Sequence, residues 1–179
     1  MQAAIAAGKR GHDVTLWEKN NKLGGELLAA VCPPGKGEFA SYIIALTKEL
    51  AKLDNVKVEL NKEADAESVK EFNADKVILA TGGLANQPKF LGNRDNVIPA
   101  REILLGHRQV EGRILVAGGG ETKKLPYDAI VVAMGYHPNS ALAEQLSFLG
   151  EKLAVIGDAR QCQNAMEAAS EGFEAGYNA

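Results

Sequence analysis

With 179 residues, 46% of them hydrophobic and 24% charged, the chain is long enough to bury a core, and its composition is that of a folded protein rather than a disordered one. A formal net charge of -3 argues against a nucleic acid or an anionic membrane as partner, since either would select a basic face. No apolar run reaches the roughly 18 residues of a membrane-crossing helix, and the N-terminus lacks the order of a signal peptide, so a soluble, cytoplasmic protein is expected.

Residues 1–10 are alanine-rich and read as a helix that packs through Met1, Ile5 and its small alanines, with Gly11 as the stop. Val14-Thr15-Leu16-Trp17 is a strand-forming run that ends on Glu18. A dinucleotide-binding βαβ unit ends its second strand this way, on an acid that holds a ribose. A solvated strand-end acid is the alternative for Glu18 taken alone. Gly24 and Gly25 follow, and without Cβ atoms they let the backbone pass close to a ligand. The helix before such a strand should follow a first strand and a Gly-x-Gly-x-x-Gly turn. Glu18 falls at about the motif's roughly 20-residue spacing if the last fingerprint glycine lay just before Met1. The chain is therefore expected to start directly after its phosphate loop.

Pro33-Pro34-Gly35-Lys36-Gly37 breaks regular structure, and Glu38 to Leu53 reads as an amphipathic helix with Phe39, Tyr42, Ile43, Leu46, Leu50 and Leu53 on one side. Val56 to Leu60 alternates as a strand, Ala66 to Phe72 suits a short helix, and Asp75 to Ala80 has a buried-strand pattern running into Thr81-Gly82-Gly83. Strand, helix, strand, helix, strand in this order implies a parallel sheet. Residues 88–111 read as a polar loop with a helix at Arg101 to Gly106. Arg113 to Ala117 is a strand before Gly118-Gly119-Gly120, where a helix should begin and receive a pyrophosphate. Glu121-Thr-Lys-Lys-Leu-Pro126 follows instead, which opens no regular helix. Asp128 to Ala133, ending at Gly135, and Leu153 to Ile156, ending at Gly157-Asp158, are further strands, and residues 164–177 form a closing helix.

Cys32 and Cys162 form no CxxC and have no histidine at metal-ligand spacing, so two free thiols and no metal site are expected. His12, His107 and His137 are scattered, and no catalytic residue is assigned.

The stretches GHDVTLWEKNNKLGGEL, CPPGKGEF, DKVILATGG, RILVAGGG, YDAIVVAMGYHPN and LAVIGDARQCQNAMEAASEGFEAG span nearly the whole chain. In this order they resemble the C-terminal FAD/NAD(P)-binding region of the old yellow enzyme-like NADH:flavin oxidoreductases, the group of 2,4-dienoyl-CoA reductase, 2-enoate reductase and trimethylamine dehydrogenase. The resemblance implies an α/β, Rossmann-like parallel sheet with flanking helices, lacking its first strand and most of the nicotinamide lobe. About 80 residues, the size of one such lobe, are expected to be absent between Gly120 and Glu121. The implied division is an FAD-binding part over 1–112, a remnant of the NAD(P)-binding domain over 113–120, and the closing FAD-binding part over 121–179. Strand 113–117 could alternatively occupy the vacant first-strand position.

By the same resemblance, Glu18 would hydrogen-bond the adenosine ribose of FAD with Lys19 beside it, and Gly24 and Gly25 would run along the ribose and pyrophosphate. Lys62 and Glu63 would approach the adenine, and Ala80, Thr81 and Gly82 would cross under the flavin nucleotide. Gly157 and Asp158 would meet the ribityl-pyrophosphate region, while Asn164, Ala165 and Met166 open a helix whose amides would face the flavin ring. A strand-end turn at Thr81-Gly82, a cap at Asp158 and close packing of the alanines are the plain structural alternatives. In the intact enzyme NAD(P)H would pass hydride to FAD, and electrons would reach FMN through a 4Fe-4S cluster in a missing N-terminal barrel that reduces activated C=C bonds. The alternatives are a non-catalytic ADP/FAD-binding module, or a truncated fragment that binds no cofactor because its phosphate loop is gone.

Overall fold

The computed structural model describes residues 1–89, 92, 94–117 and 127–179. The first part of the chain runs α1 (Gln2–Lys9), β1 (Val14–Glu18), α2 (Leu27–Ala30), α3 (Gly37–Leu50), β2 (Val56–Leu60), α4 (Ala66–Phe72), β3 (Val77–Leu79) and β4 (Gly83–Ala85). It continues through β5 (Val97–Pro99), α5 (Ala100–Leu104), β6 (Ile114–Ala117), β7 (Ala129–Val132), β8 (Tyr136–Pro138), α6 (Ala141–Gln145), β9 (Leu153–Val155) and α7 (Ala165–Tyr177). Short 3-10 segments cover Ser147–Lys152 and Gly157–Ala159.

Alanine makes α1 a good helix, and it also makes it thin: Ala4, Ile5, Ala6, Ala7 and Gly8 are all buried. Gly11, at φ +92°, ends the element in a conformation that favours glycine. Its narrow face lies on α7, where Gly176 meets the backbone of Ala3. The other side of α1 covers β1, β2 and α3, in a core of Ala4, Ile5 and Leu50 joined by Val14, Leu16, Leu46 and Val56. Helix α3 stops at Leu50 rather than Leu53 because the chain tightens there, with the Lys52 amide bonding the Glu49 carbonyl and Leu53 that of Leu50.

β1 and β2 pair in parallel, with Val14 opposite Val56 and Glu18 opposite Leu60. β3 and β9 form a second parallel pair, Leu79 opposite Val155. Trp17, one position after Leu16 and so on the opposite face of β1, packs on the core of Val69, Leu79 and Leu146 and meets Phe72 edge-on at 5.3 Å. Among the described residues no ladder hydrogen bonds join the two pairs, and Trp17 of the first shares a core with Leu79 and Val155 of the second.

A second lobe contains the parallel sheet β5-β7-β6, whose central strand Ala129–Val132 is buried throughout. One strand comes from each of the three pieces expected from the sequence, and the three form a single sheet. Strand 113–117, expected as an alternative to fill the vacant position, does not do so: β6 pairs with β7, Ile114 opposite Ala129. The loop expected over 88–111 contains β5, whose Val97 and Ile98 are buried but whose three residues are too short to show a period. Thr81-Gly82-Gly83 is not only a turn. From Gly83 the chain runs into β4, antiparallel to β8, and a Cβ there would sit 2.9 Å from Cys162 Sγ. Leu142, Leu146 and Leu149 carry a helical spacing that explains the unanticipated turns of residues 141–152, with Leu146 fully buried. The glycine triplet and the 120/121 junction, where a lobe is expected to be absent, lie outside the described residues. No helix among the described residues is long and apolar enough to cross a membrane.

Candidate functional site

Glu18 stands at the tip of β1, half-buried, and its carboxylate Oε1 accepts from the Asn20 amide at 2.8 Å and from Asn20 Nδ2 at 2.7 Å. Its second oxygen takes no protein donor among the described residues. The N-terminal end of α1 reaches the same place: the Met1 nitrogen is buried and feels the Glu18 charge. Burial lowers the basicity of that nitrogen, and Glu18 acts in the opposite direction. A helix N-terminus beside a strand-tip acid is the geometry in which amides meet a phosphate and a carboxylate meets a ribose.

Lys62 and Glu63 follow β2 on the same side. The Lys62 amide donates to the Glu18 carbonyl at 2.9 Å, and the Lys62 ammonium lies 5.0 Å from the centre of the Trp17 ring. Lys19 is exposed next to the acid. Gly24 (φ +132°) and Gly25 (φ +53°) make the turn into α2. A Cβ on Gly24 would strike Leu28 at 2.9 Å, whereas one on Gly25 would meet nothing within 4 Å. Gly24 is thus needed for packing, and Gly25 leaves open space beside the backbone.

Ala80, Thr81 and Gly82 leave the tip of β3. The Thr81 hydroxyl donates to the Asn139 carbonyl at 3.2 Å, and Gly82, at φ +74°, also has open space where a Cβ would stand. Gly157, at φ +58°, leaves the tip of β9 and donates its amide to Glu171 at 2.7 Å. Asp158 accepts from the Gln163 amide at 3.1 Å, so it does cap a turn, with one oxygen committed. Ala165 and Met166 begin α7 as expected, and the Met166 side chain is 82% exposed. The Met166 and Glu167 amides, expected to face a flavin ring, both donate to the Asn164 side-chain oxygen Oδ1 at 3.0 Å. The helix end therefore offers its dipole more than free amides.

The structure brings Glu18, Lys19, Lys62 and Glu63 to one side of the strand tips. It sets Ala80 to Gly82 beside Gly157 and Asp158 through the β3–β9 pair. The open positions at Gly25 and Gly82 and the uncommitted Glu18 oxygen fit a dinucleotide laid across these tips. Among the described residues no cluster of three metal-ligating side chains occurs. Cys162 lies against Gly83, and burial first, then the Asp158 charge, pushes its thiol up.

Sequence reasoning missed a polar cluster behind the Gly24-Gly25 turn. Arg101 Nε donates to Glu26 Oε1 at 2.6 Å, Arg101 Nη1 to Glu102 at 3.1 Å, and the Tyr136 hydroxyl to Glu26 Oε2 at 3.2 Å. Nothing in the local sequence signals it, since the partners are 75 and 110 positions apart.

No family model matches the chain. Bilirubin reductase from Mediterraneibacter gnavus is 38% identical over 121 residues, 67% of this chain and 19% of that protein. NADH oxidase from Thermoanaerobacter brockii is 39% identical over 125 residues, again 67% of this chain and 19% of the relative. Among solved structures, 2-naphthoyl-CoA reductase superposes with a TM-score of 0.90 at 23% identity, over 99% of this chain and 38% of that one. The chain thus spans about a fifth of the length of the curated relatives it matches.

Proposed function

Since this chain belongs to the old yellow enzyme-like NADH:flavin oxidoreductases, we propose that it is the FAD-binding part of an NAD(P)H-dependent oxidoreductase acting in the cytoplasm. The observation that carries this reading is Glu18 at the end of β1, with one carboxylate oxygen taking no donor among the described residues and the start of α1 beside it. Bound FAD supplies a two-electron centre that takes hydride from a reduced nicotinamide and releases electrons singly. The residues of this chain hold and orient it. Glu18 keeps an oxygen for the adenosine ribose, with Lys19 beside it. Gly24 and Gly25 turn the backbone along the pyrophosphate, and Lys62 and Glu63 offer backbone groups to the adenine. Ala80, Thr81 and Gly82 pass under the nucleotide, while Gly157 and Asp158 receive the ribityl side and Ala165 and Met166 set a helix dipole toward the ring.

The partner in this reading is an N-terminal barrel that would hold FMN and a 4Fe-4S cluster and would supply the chemistry that reduces an activated C=C bond. The test is a visible absorption spectrum of the purified chain before and after FAD is added and the excess removed. Retained flavin absorption supports the reading. A colourless protein that nevertheless binds ADP would be a non-catalytic nucleotide module, and one that binds neither would overturn the proposal.

A further inference from the structure

Glu26 follows the Gly24-Gly25 turn directly, and both of its carboxylate oxygens are committed to residues from elsewhere in the fold. Oε1 takes the Arg101 guanidinium from α5 of the second lobe at 2.6 Å. Oε2 takes the hydroxyl of Tyr136, the first residue of β8, at 3.2 Å. β8 pairs with β4, Tyr136 opposite Ala85 and Pro138 opposite Gly83, so Tyr136 is tied to the segment that emerges from Gly82. Thus one carboxylate joins the first glycine turn, the continuation of the second, and the second lobe.

Arg101 is itself held on its far side by Glu102, which also accepts from or pairs with His107 Nδ1 at 3.0 Å. Its side chain is 27% exposed, so the pair is partly desolvated and its geometry is constrained at both ends. A second tie runs alongside, from Cys32 Sγ to the Leu104 carbonyl at 2.9 Å. Arg101 and Tyr136 also border a cavity of about 220 Å³, lined by Asn86 just after β4 and by Val132 and Met134 at the end of β7.

We propose that Glu26 is a positioning residue: by holding Arg101 and Tyr136 together it sets the distance between the Gly24-Gly25 and Thr81-Gly82 turns, and so the width of the slot in which the dinucleotide lies. The proposal rests on the FAD-binding reading for its ligand, but the clamp itself exists without ligand. Glu26 touches no cofactor in this role. It acts through two backbone segments that do, and it passes any displacement of the second lobe to both.

The test is made on the whole chain with the variants Glu26→Ala, Glu26→Gln and Arg101→Met. Amide hydrogen exchange without ligand is read in 24–30, 82–86 and, as control, 66–72. Glu26→Ala is expected to speed exchange at least tenfold in both 24–30 and 82–86 and to leave 66–72 as it was. Glu26→Gln, which retains an acceptor oxygen for Tyr136, should recover part of the protection in 82–86, a rescue that loss of general stability would not produce. With FAD, Glu26→Ala should raise the dissociation constant about tenfold and change the visible circular dichroism of the bound flavin. Exchange faster only in 24–30, or faster everywhere including 66–72, overturns the proposal. So does an unchanged flavin dissociation constant. Where the unaltered chain binds no FAD, it is the functional reading that fails, and the exchange comparison still decides the clamp.

Discussion

Gly176 on α7 faces the backbone of Ala3 on α1 so closely that a Cβ added to it would overlap the Ala3 carbonyl oxygen and lie 2.9 Å from the Ala3 Cα. Both are backbone atoms and cannot swing aside as the end of a side chain could. Gly176→Ala must therefore push α1 off α7, at a cost of roughly 1–3 kcal/mol for overpacking. In a chain of this size that lowers the melting temperature by about 2–4 °C per kcal/mol. Gly172→Ala is the internal comparison. Its Cβ would be 3.4 Å from Gln2 Cβ, near ordinary contact, and its added helix propensity offsets much of any strain. Thermal unfolding by circular dichroism should rank Gly176→Ala well below Gly172→Ala.

Asn164 closes the start of α7 twice over, accepting the Met166 and Glu167 amides while Glu167 accepts the Asn164 amide at 3.2 Å. Asn164→Ala leaves both donors to solvent and should cost about 1 kcal/mol, with Asn164→Asp close to neutral because it retains the acceptor and adds a favourable charge at the helix start. Chemical denaturation with an unchanged slope is the check.

The parts of the fold that could be read in the sequence are those with a period of their own. Helices α1, α3 and α7 and strands β1, β2 and β9 announce themselves through Ile5, Leu46, Leu50, Phe173 and the run from Val14 to Glu18. β4, β5 and β8 do not, because three residues such as Gly83-Leu84-Ala85 show neither alternation nor turn chemistry until a partner strand is supplied. The site divides in the same way. Glu18, Gly24 and Gly25 lie within eight positions of one another and form a local pattern. The Glu26–Arg101–Tyr136 cluster spans three distant segments and is created only when the second lobe docks.

Glu171 accepts the Gly157 amide at 2.7 Å and pairs with Arg160. The Arg160 hydrogen bond first, and that of Gly157 next, hold its carboxyl below the ordinary 4.5. A depressed acid favours the folded state above the unfolded value, so this contribution is fully present above pH 4.5 and disappears as pH falls from there through the lower folded value. Melting temperature against pH should therefore fall more steeply for the unaltered chain than for Glu171→Gln in that acid range. Near neutral pH Glu171→Gln should be the less stable of the two. Parallel curves would show that the pair contributes nothing.

For Glu18, the proposed ribose contact makes affinity the discriminating quantity. Loss of a charged acceptor costs roughly 1.5–3 kcal/mol per hydrogen bond, about 10- to 150-fold in dissociation constant. Glu18→Ala should weaken FAD and ADP binding by about that factor in equilibrium dialysis. Asn20→Ala, which removes the side-chain donor to Oε1 and keeps the backbone amide bond, should leave binding within a few fold of the original. Equal binding by the Glu18 variant would remove this acid from the site.

Cys162 reports on the opposite end of the proposed slot, because its sulfur lies against Gly83 and is close to Asp158. Burial, and then repulsion between thiolate and the Asp158 carboxylate, raise its pKa, so little of the reactive thiolate exists at neutral pH. Alkylation by iodoacetamide, followed by mass spectrometry of the Cys162 peptide, should be slow at pH 7 and accelerate as pH rises. Asp158→Asn removes the charge and should speed the reaction at a fixed pH, though less than full exposure of the thiol would, since burial is the larger cause. If a dinucleotide lies across Gly82 and Gly157 as proposed, saturating FAD should slow the labelling of Cys162 while leaving that of the exposed Cys32 unchanged. Equal protection of both thiols would mean general tightening of the fold, and no protection of Cys162 would mean that the ligand does not reach the tips of β3 and β9.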